Sequence, residues 1–437
     1  MKLLIYTPKI TPRLNFIFNF IFSELLGISC LFTDDLDEFS KSEAFKIQYA
    51  ANYVSVPNSL FLKANKLLFE TDLKIQNIEV FDWNETKAFF KTDKQSFLPF
   101  DIFAAGFYLL SRYEEYLAFN PDKFGRFSAK ESLAFKYNFL KQPIIDIWAE
   151  YLKIELLKYD SELKFKQKKF QFVSTIDIDN AYAYLNKGFL RSFLSSVKLL
   201  FSFKWTEFAE KTKVHFGKTQ DPYDSYQFIN KIHAKYNIKA IYFFLTAKYA
   251  KHDKNISADN QHFKRLVQSS SENAEIGIHP SYESNKNINL VKYEKEKLEN
   301  ISGKSITKSR QHFLMLKFPE TYQNLIELGI KEDYSMGYVS LPGFRAGTCT
   351  PFYFFNLEAN KSENLKITPF ALMDVGLKDY NGMDAKEASQ EIENIIENVK
   401  KVKGLFVCLW HNESLGNKKE WKDWKFTYEK MIKQAIL

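Results

Sequence analysis

Short apolar runs alternate with longer amphipathic stretches over the second and larger part of the chain. Five runs have the length of a strand, and the stretches between them carry apolar residues at helical spacing. The five runs are residues 169–179, 238–246, 274–280, 365–374 and 404–412. Strands that alternate with helices are typical of βα units in a parallel sheet or barrel. The pattern therefore predicts an α/β architecture for this part of the chain.

The first part of the chain has a different pattern. A mixed start is followed by two stretches with helical spacing, Phe100–Phe119 and Pro143–Tyr159, the second with a proline in its first turn. A basic stretch, Lys164–Lys169, then separates the two parts. We therefore predict a smaller mixed α/β N-terminal domain of unknown role over residues 1–165, and a second domain over residues 166–437.

One stretch of the second domain fits no βα step. Residues 186–221 carry apolar side chains at helical spacing without a strand pattern, which predicts a helical insertion after the first strand. Its apolar side needs a partner, either a membrane surface or the N-terminal domain. We favour the N-terminal domain, because the insertion lies near the predicted domain junction.

Composition narrows the class of protein. Apolar residues make up 45% and charged residues 26%, as in a soluble globular protein, so disorder and collagen-like repeats are excluded. The net charge of +8 is spread along the chain, so we expect no nucleic-acid partner. The oligomeric state stays open.

Cysteine usage and hydropathy bear on the compartment. The three cysteines are far apart and form no CxxC pair, so neither a disulfide framework nor a structural zinc site is expected. No uninterrupted apolar run reaches the length of about 20 residues that a membrane span needs. The N-terminus also lacks the pattern of a secretory leader. We therefore expect a cytoplasmic protein without a transmembrane segment.

Residues that bind metals or move protons stand at the ends of several predicted strands. The first strand ends in Asp177 and Asp179, and later strands end in His279, Asp374 and His411. In parallel α/β architectures, functional sites collect at the carboxyl ends of the strands. Alternation along a strand also puts Asp177 and Asp179 on one face. We therefore predict one pocket that contains these side chains.

The pair Asp177-x-Asp179 has several meanings when it stands alone. Two close carboxylates repel each other unless a cation, an arginine or a proton lies between them. The pair is compatible with a metal or acid–base site, with the cap of the following helix, or with the metal–nucleotide site of a glycosyltransferase.

Two further candidates are His312 and Arg345. Glycines flank Arg345, so its loop can turn and carry the guanidinium inward to two carboxylates.

Five short sequences, taken in order, resemble the motifs of a known family. They are STIDID (174–179), GIHPSY (277–282), GFRAGT with a following PF (343–352), LMD (372–374) and LWHN (409–412). From Phe170 onward the chain is similar to the polysaccharide deacetylases, the NodB-like carbohydrate esterases of family 4. That family implies a deformed (β/α) barrel. RYEEY (112–116) and GRF (125–127) are similar to the subgroup with an uncharacterised N-terminal domain.

The resemblance implies a metal-dependent hydrolase that removes N-acetyl groups from an N-acetylated sugar or polysaccharide precursor. The implied cofactor is a divalent metal ion, with zinc preferred, and the implied partner is a carbohydrate substrate. The roles carried over by position are general base for Asp177, metal ligand for Asp179 and His279, orientation of the base for Arg345, tuning of the acid for Asp374 and general acid for His411.

The chain departs from the family at one ligand. The family's second motif has a histidine four residues after the first, where this chain has Glu283. The third ligand would be His312 or Glu283, and we favour His312 because zinc takes imidazole readily. Two other functions stay open. One is a catalytically inactive module that binds carbohydrate or protein, and the other is a glycosyltransferase that uses Asp177 and Asp179.

Overall fold

The computed structural model describes residues 3–437, which form a mixed α/β structure with two main sheets. The strands of the N-terminal region are β1 (Leu3–Tyr6), β2 (Cys30–Thr33), β3 (Phe45–Ala50), β4 (Ser59–Lys63), β5 (Phe81–Trp83) and β6 (Thr86–Ala88). The first four form a parallel sheet in the order β2-β1-β3-β4, and β5 and β6 form an antiparallel hairpin. The helices of this region are α1 (Pro12–Phe18), α2 (Leu36–Lys41), α3 (Ile102–Leu110), α4 (Leu133–Lys136) and α5 (Ile144–Tyr159).

Two of these helices correspond to the predicted ones. Helix α5 begins directly after Pro143 and ends at Tyr159, as predicted. Helix α3 is shorter than the predicted Phe100–Phe119, because Arg112 takes a left-handed conformation (φ 56°) and a short 3-10 turn follows it. Every residue of α3 is buried, so this helix lies inside the core.

The second region contains the larger sheet. Its strands are β7 (Gln171–Ile178), β8 (Ala240–Phe244), β9 (Glu275–Ile278), β10 (Lys308–Ser309), β11 (Glu332–Asp333), β12 (Phe352–Asn356), β13 (Lys361–Ile367), β14 (Leu372–Met373) and β15 (Leu405–His411). Their order is β12-β13-β11-β10-β9-β8-β7-β15-β14, with parallel neighbours except for the antiparallel pair β12 and β13. The helices are α6 (Phe189–Phe201), α7 (Trp205–His215), α8 (Tyr226–Lys235), α9 (Gln261–Asn273), α10 (Ile288–Ser302), α11 (Glu320–Glu327), α12 (Ala385–Lys401) and α13 (Trp424–Ile436).

Four of the five predicted strands are present within two residues of their expected ends, as β7, β8, β9 and β15. The fifth, residues 365–374, is wrong as a single strand. Its residues belong to β13 and β14, which Pro369 separates and which lie near opposite edges of the sheet. Proline has no amide hydrogen to donate to a ladder, so a strand ends there.

The short link between β13 and β14 shows that the large sheet curls. In a flat sheet, the seven strand spacings between them would amount to roughly 34 Å. The five residue steps from Ile367 to Leu372 span at most about 18 Å. The sheet therefore bends toward a barrel, although no ladder joins β12 to β14 within residues 3–437. The deformed barrel expected from the sequence is an open, curled sheet.

One hydrophobic core joins the two regions. It contains side chains of both sheets and of helices α1, α3, α5 and α12. Hydrogen bonds also cross between the regions, from the amide of Ile145 to the carbonyl of Gly347 (2.9 Å) and from the hydroxyl of Thr348 to Asp146 (2.6 Å). Because the packing is continuous, the domain boundary near residue 165 stays a prediction.

The predicted insertion is the helix pair α6 and α7, which follows β7. No residue of α6 is buried. Its Arg191 donates hydrogen bonds to the carbonyls of Lys254 and Asn255 (2.6 and 3.0 Å), and Lys211 of α7 donates to its serines. The expectation that its apolar side packs on the N-terminal region is wrong, because that side faces solvent. Within the described part of the chain, no helix combines the length and hydropathy needed to cross a bilayer.

Candidate active site

Six neighbouring strands bring most of the candidate residues to one edge of the sheet. Strands β14, β15, β7, β8, β9 and β10 are parallel, so their carboxyl ends meet at the same edge. The register of β15 and β7 puts His411 opposite Asp177. A pocket of about 270 Å³ opens there, and its lining includes Asp177, Asp179, His279, His312 and His411.

Asp177 is held by an arginine that the sequence analysis missed. Its side chain is 2% exposed, and its Oδ1 accepts a hydrogen bond from Nη1 of Arg310 at 2.8 Å. Nη1 of Arg310 also donates to the hydroxyl of Thr175 at 2.6 Å, and Nε donates to the carbonyl of Tyr334 at 3.0 Å. Arg310 follows the two-residue strand β10, which is too short to show a strand pattern. Its position two residues before His312 was the available signal.

Asp179, His279 and His312 form a cluster with the donor set of a metal site. Nε2 of His279 lies 3.0 Å from Oδ1 of Asp179, and Nε2 of His312 lies 3.3 Å from Oδ2. One ligand atom from each residue lies within 4.8 Å of the other two. In a tetrahedral zinc site with bonds of about 2.0–2.1 Å, neighbouring ligand atoms are roughly 3.4 Å apart. The three side chains therefore fit a single ion of this size.

A hydrogen bond occupies the outer nitrogen of each imidazole. Nδ1 of His279 lies 2.5 Å from the carbonyl oxygen of Arg310, which can only accept. Nδ1 of His312 lies 2.8 Å from Oδ1 of Asp253. Both Nδ1 atoms are therefore assigned as donors, and in the neutral imidazole the lone pair then lies on Nε2, which faces Asp179. Outer hydrogen bonds of this kind orient histidine ligands in metal sites.

The ionised carboxylate of Asp179 needs a positive charge next to it. Its Oδ1 is buried and has no hydrogen-bond donor, although Nε2 of His279 is close. Burial raises the pKa of Asp179, but electrostatic interaction and hydrogen bonding with His312 and His279 outweigh burial and hold this pKa well below its usual value. Burial lowers the pKa of His312, whereas Asp179 and Asp253 raise it, with a net result of about 9. Either protonated imidazoles supply the charge, or a cation replaces those protons.

Asp374 orients His411. Nδ1 of His411 lies 2.7 Å from Oδ1 of Asp374, whose Oδ2 accepts hydrogen bonds from the His411 amide (2.8 Å) and the Ser414 hydroxyl. Nε2 of His411 lies 3.7 Å from Oδ2 of Asp179. Burial lowers the pKa of His411, but the charge of Asp374 outweighs burial and raises it to about 10. His411 can therefore carry a proton at the pocket wall at neutral pH.

Arg345 does not line the pocket. Its Nε donates to Oε1 of Glu115 at 2.8 Å, its Nη2 binds Oε2, and its Nη1 donates to the carbonyl of Gly337 at 3.1 Å. The expectation that Arg345 holds Asp177 is wrong, because Arg310 fills that position and Glu115 takes the Arg345 guanidinium. The flanking Gly343 does allow a turn, but toward the N-terminal region: a Cβ there would lie 2.5 Å from the Leu140 carbonyl oxygen.

Glu283, the alternative third ligand, lies away from the cluster. It is exposed, at the start of a short 3-10 turn, and is absent from the pocket lining within residues 3–437. His312 follows β10, the strand next to β9, and so reaches the same edge as His279. The structure thus offers His312, rather than Glu283, as the third donor.

The N-terminal region contributes to the pocket wall. Arg126 is 5% exposed and lines the pocket. Its Nη1 donates to the carbonyl of Phe313 at 2.7 Å, and its Nε donates to Oδ2 of Asp122 at 2.8 Å. The other walls are largely apolar and aromatic and include Leu314, Val339, Met373, Tyr380, Leu409 and Trp421. Apolar walls with a few convergent polar groups are typical of small-molecule sites.

One family model matches the N-terminal region of the chain. Residues 3–161 match the model of a family of unknown function, DUF7033, which covers about a third of the chain. No curated protein matches the chain.

Solved structures give distant likenesses. A protein from Mycobacterium smegmatis assigned as a polysaccharide deacetylase is 14% identical, with a TM-score of 0.39 over 61% of this chain and 85% of that one. The polysaccharide deacetylase of Bacillus cereus is 15% identical, with a TM-score of 0.31 over 61% and 86%. A CE4 family pseudoenzyme from Bacillus anthracis is 8% identical, with a TM-score of 0.30 over 61% and 60%. At TM-scores this low, function has to be inferred from the site itself.

Proposed function

We propose that this protein is a metal-dependent hydrolase that removes an N-acetyl group from an N-acetylated sugar. The observation that carries the proposal is one pocket that contains three metal donors, a buried carboxylate and an oriented imidazole. The donors are Asp179, His279 and His312, and the other two groups are Asp177 and His411. Metal-assisted hydrolysis needs these components within reach of one acyl carbon.

The ion would be held by Asp179, His279 and His312. Zinc suits this set, because it takes imidazole nitrogen and carboxylate oxygen and leaves one coordination position for water or substrate. When bound, such an ion lowers the pKa of a water molecule and polarises an acyl oxygen. Asp253 and the carbonyl of Arg310 keep the two imidazoles in the orientation that ligation needs.

Asp177 is the group that takes the proton of the attacking water. Its Oδ2 lies 3.7 Å from Nε2 of His279, so the carboxylate borders the donor cluster. The guanidinium of Arg310 occupies Oδ1, and this leaves Oδ2 as the oxygen that can accept a proton. Because Arg310 also binds Thr175 and Tyr334, it fixes the direction of the Asp177 carboxylate.

His411 is the group that protonates the leaving amine. An amine leaves an amide carbon slowly until its nitrogen is protonated, so the acid must hold a proton at working pH. Asp374 accepts from Nδ1 and stabilises the charged imidazole. The remaining proton on Nε2 then points away from Asp374, on the side where Asp179 lies.

The pocket suits one sugar unit. Its volume of about 270 Å³ lies just below the range of small-molecule sites, which starts near 300 Å³. Trp421 and Tyr380 belong to the lining, and aromatic side chains can pack against a sugar ring. This size and the sequence motifs support the proposal of a carbohydrate substrate, such as a polysaccharide precursor.

The two other functions are less well supported by the geometry. An inactive binding module was suggested by the missing histidine at position 283, but His312 supplies an imidazole at that cluster. A glycosyltransferase would use both Asp177 and Asp179 toward a metal and nucleotide, whereas Arg310 already occupies Oδ1 of Asp177. That role also leaves His411 without a function.

Zinc content and acetate release test the proposal together. The purified protein should bind one equivalent of zinc and release acetate from N-acetylglucosamine oligomers, and a chelator should stop the release until zinc is restored. Stoichiometric zinc without acetate release from any N-acetylated sugar would favour the inactive module. Failure to bind a divalent ion would refute the metal-dependent mechanism.

A further inference from the structure

Helix α6 presents its apolar side to solvent. Its apolar residues form one stripe at helical spacing: Phe189, Leu190, Phe193, Leu194, Val197, Leu200 and Phe201. A surface helix normally turns such a stripe toward the core. In α6 the side chains of Phe189, Phe193 and Leu194 are 87%, 55% and 57% exposed. We call this set the apolar stripe.

The polar side of α6 is the side that the protein holds. Lys211 of α7, which is 3% exposed, donates hydrogen bonds to the hydroxyls of Ser195 and Ser196. Arg191 binds the carbonyls of Lys254 and Asn255. The stripe cannot rotate inward without the loss of these contacts. Its exposure is therefore a consequence of how the helix is attached.

The exposed apolar surface continues beyond the helix. Phe203, Trp205 and Phe216 are 78%, 58% and 76% exposed, and the rings of Phe203 and Trp205 lie 6.4 Å apart. Exposed apolar groups in this number and proximity mark an interaction surface rather than ordinary surface composition.

Basic side chains accompany this surface. Residues 187–218 contain seven Lys and Arg and two Glu, so their net charge is 7 − 2 = +5. A groove of about 660 Å³ beside α6 is lined by leucines, by four basic side chains, Lys187, Arg191, Lys198 and Lys204, and by one acidic side chain, Glu207, which pairs with Lys204 at 2.8 Å. Burial and the nearby Arg191 lower the pKa of Lys187 to about 8, so an added anion would stabilise its charged form. The groove thus matches a negatively charged group next to an apolar phase.

We propose that α6 and the start of α7 bind the surface of an anionic phospholipid bilayer. The apolar stripe would enter the boundary between headgroups and acyl chains, and the basic groove would face the lipid phosphates. Aromatic and leucine side chains on one face, with Lys and Arg beside them, are typical of helices that lie in the membrane interface. A second copy of the chain is less suitable, because its net charge of +5 at this surface would repel an identical one.

The helix pair α6 and α7 is connected to the pocket. Helix α6 follows β7, the strand that carries Asp177 and leads to Asp179. The charge of Glu413, which lines the pocket, raises the pKa of Lys187 in the groove. Attachment through α6 would therefore hold the pocket near the lipid surface. The inference itself does not depend on deacetylation.

Vesicle cosedimentation of the full chain tests this proposal. The protein should pellet with phosphatidylcholine vesicles that contain phosphatidylglycerol, and less with phosphatidylcholine alone or at high salt. The variant Phe189→Ser/Phe193→Ser/Leu194→Ser should lower the partition coefficient about tenfold or more, because three apolar side chains no longer leave water. A matched control, Ile75→Ser/Tyr159→Ser/Phe426→Ser, removes residues that are 88%, 57% and 72% exposed elsewhere, and should bind as the parent does.

Three results would overturn the proposal. The parent protein fails to pellet with anionic vesicles, or the stripe variant and the control variant lose binding equally. In the third, sedimentation velocity without lipid shows a dimer that the stripe variant abolishes, which would make a second copy the occupant. Unfolding midpoints of both variants should match the parent, since all six substituted side chains are exposed.

A different observation gives the N-terminal region a task at the pocket. Phe313 and Leu314, directly after His312, have left-handed backbones with φ of 59° and 52°. Such conformations cost free energy in residues other than glycine and persist where neighbours hold them. Arg126 donates to the Phe313 carbonyl at 2.7 Å, and the Phe124 ring packs on the Phe313 ring at 5.1 Å. We infer that the segment 122–126 positions the loop that carries His312.

Hydrogen exchange and zinc affinity test this second inference, which for its zinc readout rests on the proposed metal site. Arg126→Met should speed deuterium uptake in a peptide that spans 310–317, with or without zinc, and weaken zinc binding by about 10–100-fold. Arg265→Met, which removes an exposed arginine of α9, is the control. Unchanged uptake in 310–317 would overturn the inference. A parent protein that binds no zinc would refute the proposed function but leave the exchange result decisive.

Discussion

Two buried ion clusters in this protein differ in how completely their atoms are paired. The first consists of Arg112, Glu115 and Arg345 and joins the N-terminal region to the loop after β11. Both oxygens of Glu115 accept from guanidinium groups, and every guanidinium nitrogen of Arg112 and Arg345 donates to an oxygen. This cluster is closed.

The second cluster consists of Asp179, Asp253, His279, Arg310 and His312 at the pocket. We call it open, because some of its buried polar atoms make no hydrogen bond. Oδ2 of Asp253 and Nη2 of Arg310 are buried and make no hydrogen bond among the described residues. Oδ1 of Asp179 is also buried without a hydrogen bond, although Nε2 of His279 lies 3.0 Å away. Native proteins leave few buried polar atoms unpaired, and each such atom calls for an explanation such as a bound ion, a ligand or a water molecule. The side chains of the first cluster are at most 3% exposed, whereas Asp179 is 23% exposed. Incomplete pairing and partial exposure together distinguish the candidate site from the structural ion cluster. The same criterion shows why Arg345 belongs to the structural cluster.

Removal of a metal donor should have the largest effect. His279→Ala takes one of three donors from the open cluster, so we expect loss of bound zinc and of acetate release. Elemental analysis and an acetate assay on N-acetylglucosamine oligomers measure the two effects. His262→Ala, on the exposed face of α9, is the control and should keep both. Full zinc content in His279→Ala would contradict the assignment of the cluster.

Removal of the acid should leave the ion in place. His411→Ala is expected to keep zinc but slow acetate release by about 10²–10⁴-fold, the usual cost of a lost acid–base group. Asp177→Asn should behave similarly, because neither side chain belongs to the three-donor set. If His411→Ala loses zinc as completely as His279→Ala, then His411 is a ligand and the assignment as acid is wrong.

The closed cluster should respond in stability rather than in chemistry. Arg345→Met leaves Glu115 with a single arginine partner, so we expect the free energy of unfolding to fall by about 3 kcal/mol, as for other broken buried pairs. Urea unfolding followed by tryptophan fluorescence measures the change. Zinc binding by the folded protein should be unchanged. Weaker zinc binding at equal folded fraction would show that the two clusters are coupled.

Substitution of Arg310 should lower activity, whereas substitution of Arg345 should lower stability. Arg310→Met removes the donor to Oδ1 of Asp177, so the base loses its fixed direction. We expect acetate release to fall by about 10–100-fold, in the range of lost supporting contacts at metal sites. Comparison with Arg345→Met in the same assay decides which arginine serves the site. Equal loss of activity in both variants, after correction for folded fraction, would remove the distinction between the clusters.

The smallest expected effect is the pH dependence of stability that comes from a buried histidine outside both clusters, His233. His233 lies 2.6 Å from the hydroxyl of Tyr428, and burial lowers its pKa to about 4. Because this pKa is below the unfolded value of about 6.5, its contribution is complete above pH 6.5 and is lost as the pH falls toward 4. The loss is at most about 1.4 kcal/mol per pH unit. His233→Gln should make the urea midpoint depend less on pH over this window. An unchanged dependence would contradict the claim that His233 causes the loss of stability at low pH.

The sequence by itself determined the repeat of strands and helices and the places where chemistry could occur. Apolar runs long enough to be buried on both faces predicted β7, β8, β9 and β15 within two residues. The period of two along a strand put Asp177 and Asp179 on one face, and both line the pocket. These features depend on the pattern of side chains over a few neighbouring residues, which can be read directly from the sequence.

Tertiary structure decided which distant side chains complete each group. Strand β10 is only two residues long, so no local pattern indicates that Arg310 and His312 follow the end of a strand. Arg345 and Arg310 are both arginines in loops after short strands, and only the curl of the sheet and the packing of α3 give one to Glu115 and the other to Asp177. The outward direction of the apolar stripe depends likewise on contacts of Lys211 and Arg191 with residues remote in sequence or on another helix. Pairing of buried charges is a long-range property, because each group takes the partner that the folded chain brings within hydrogen-bond distance.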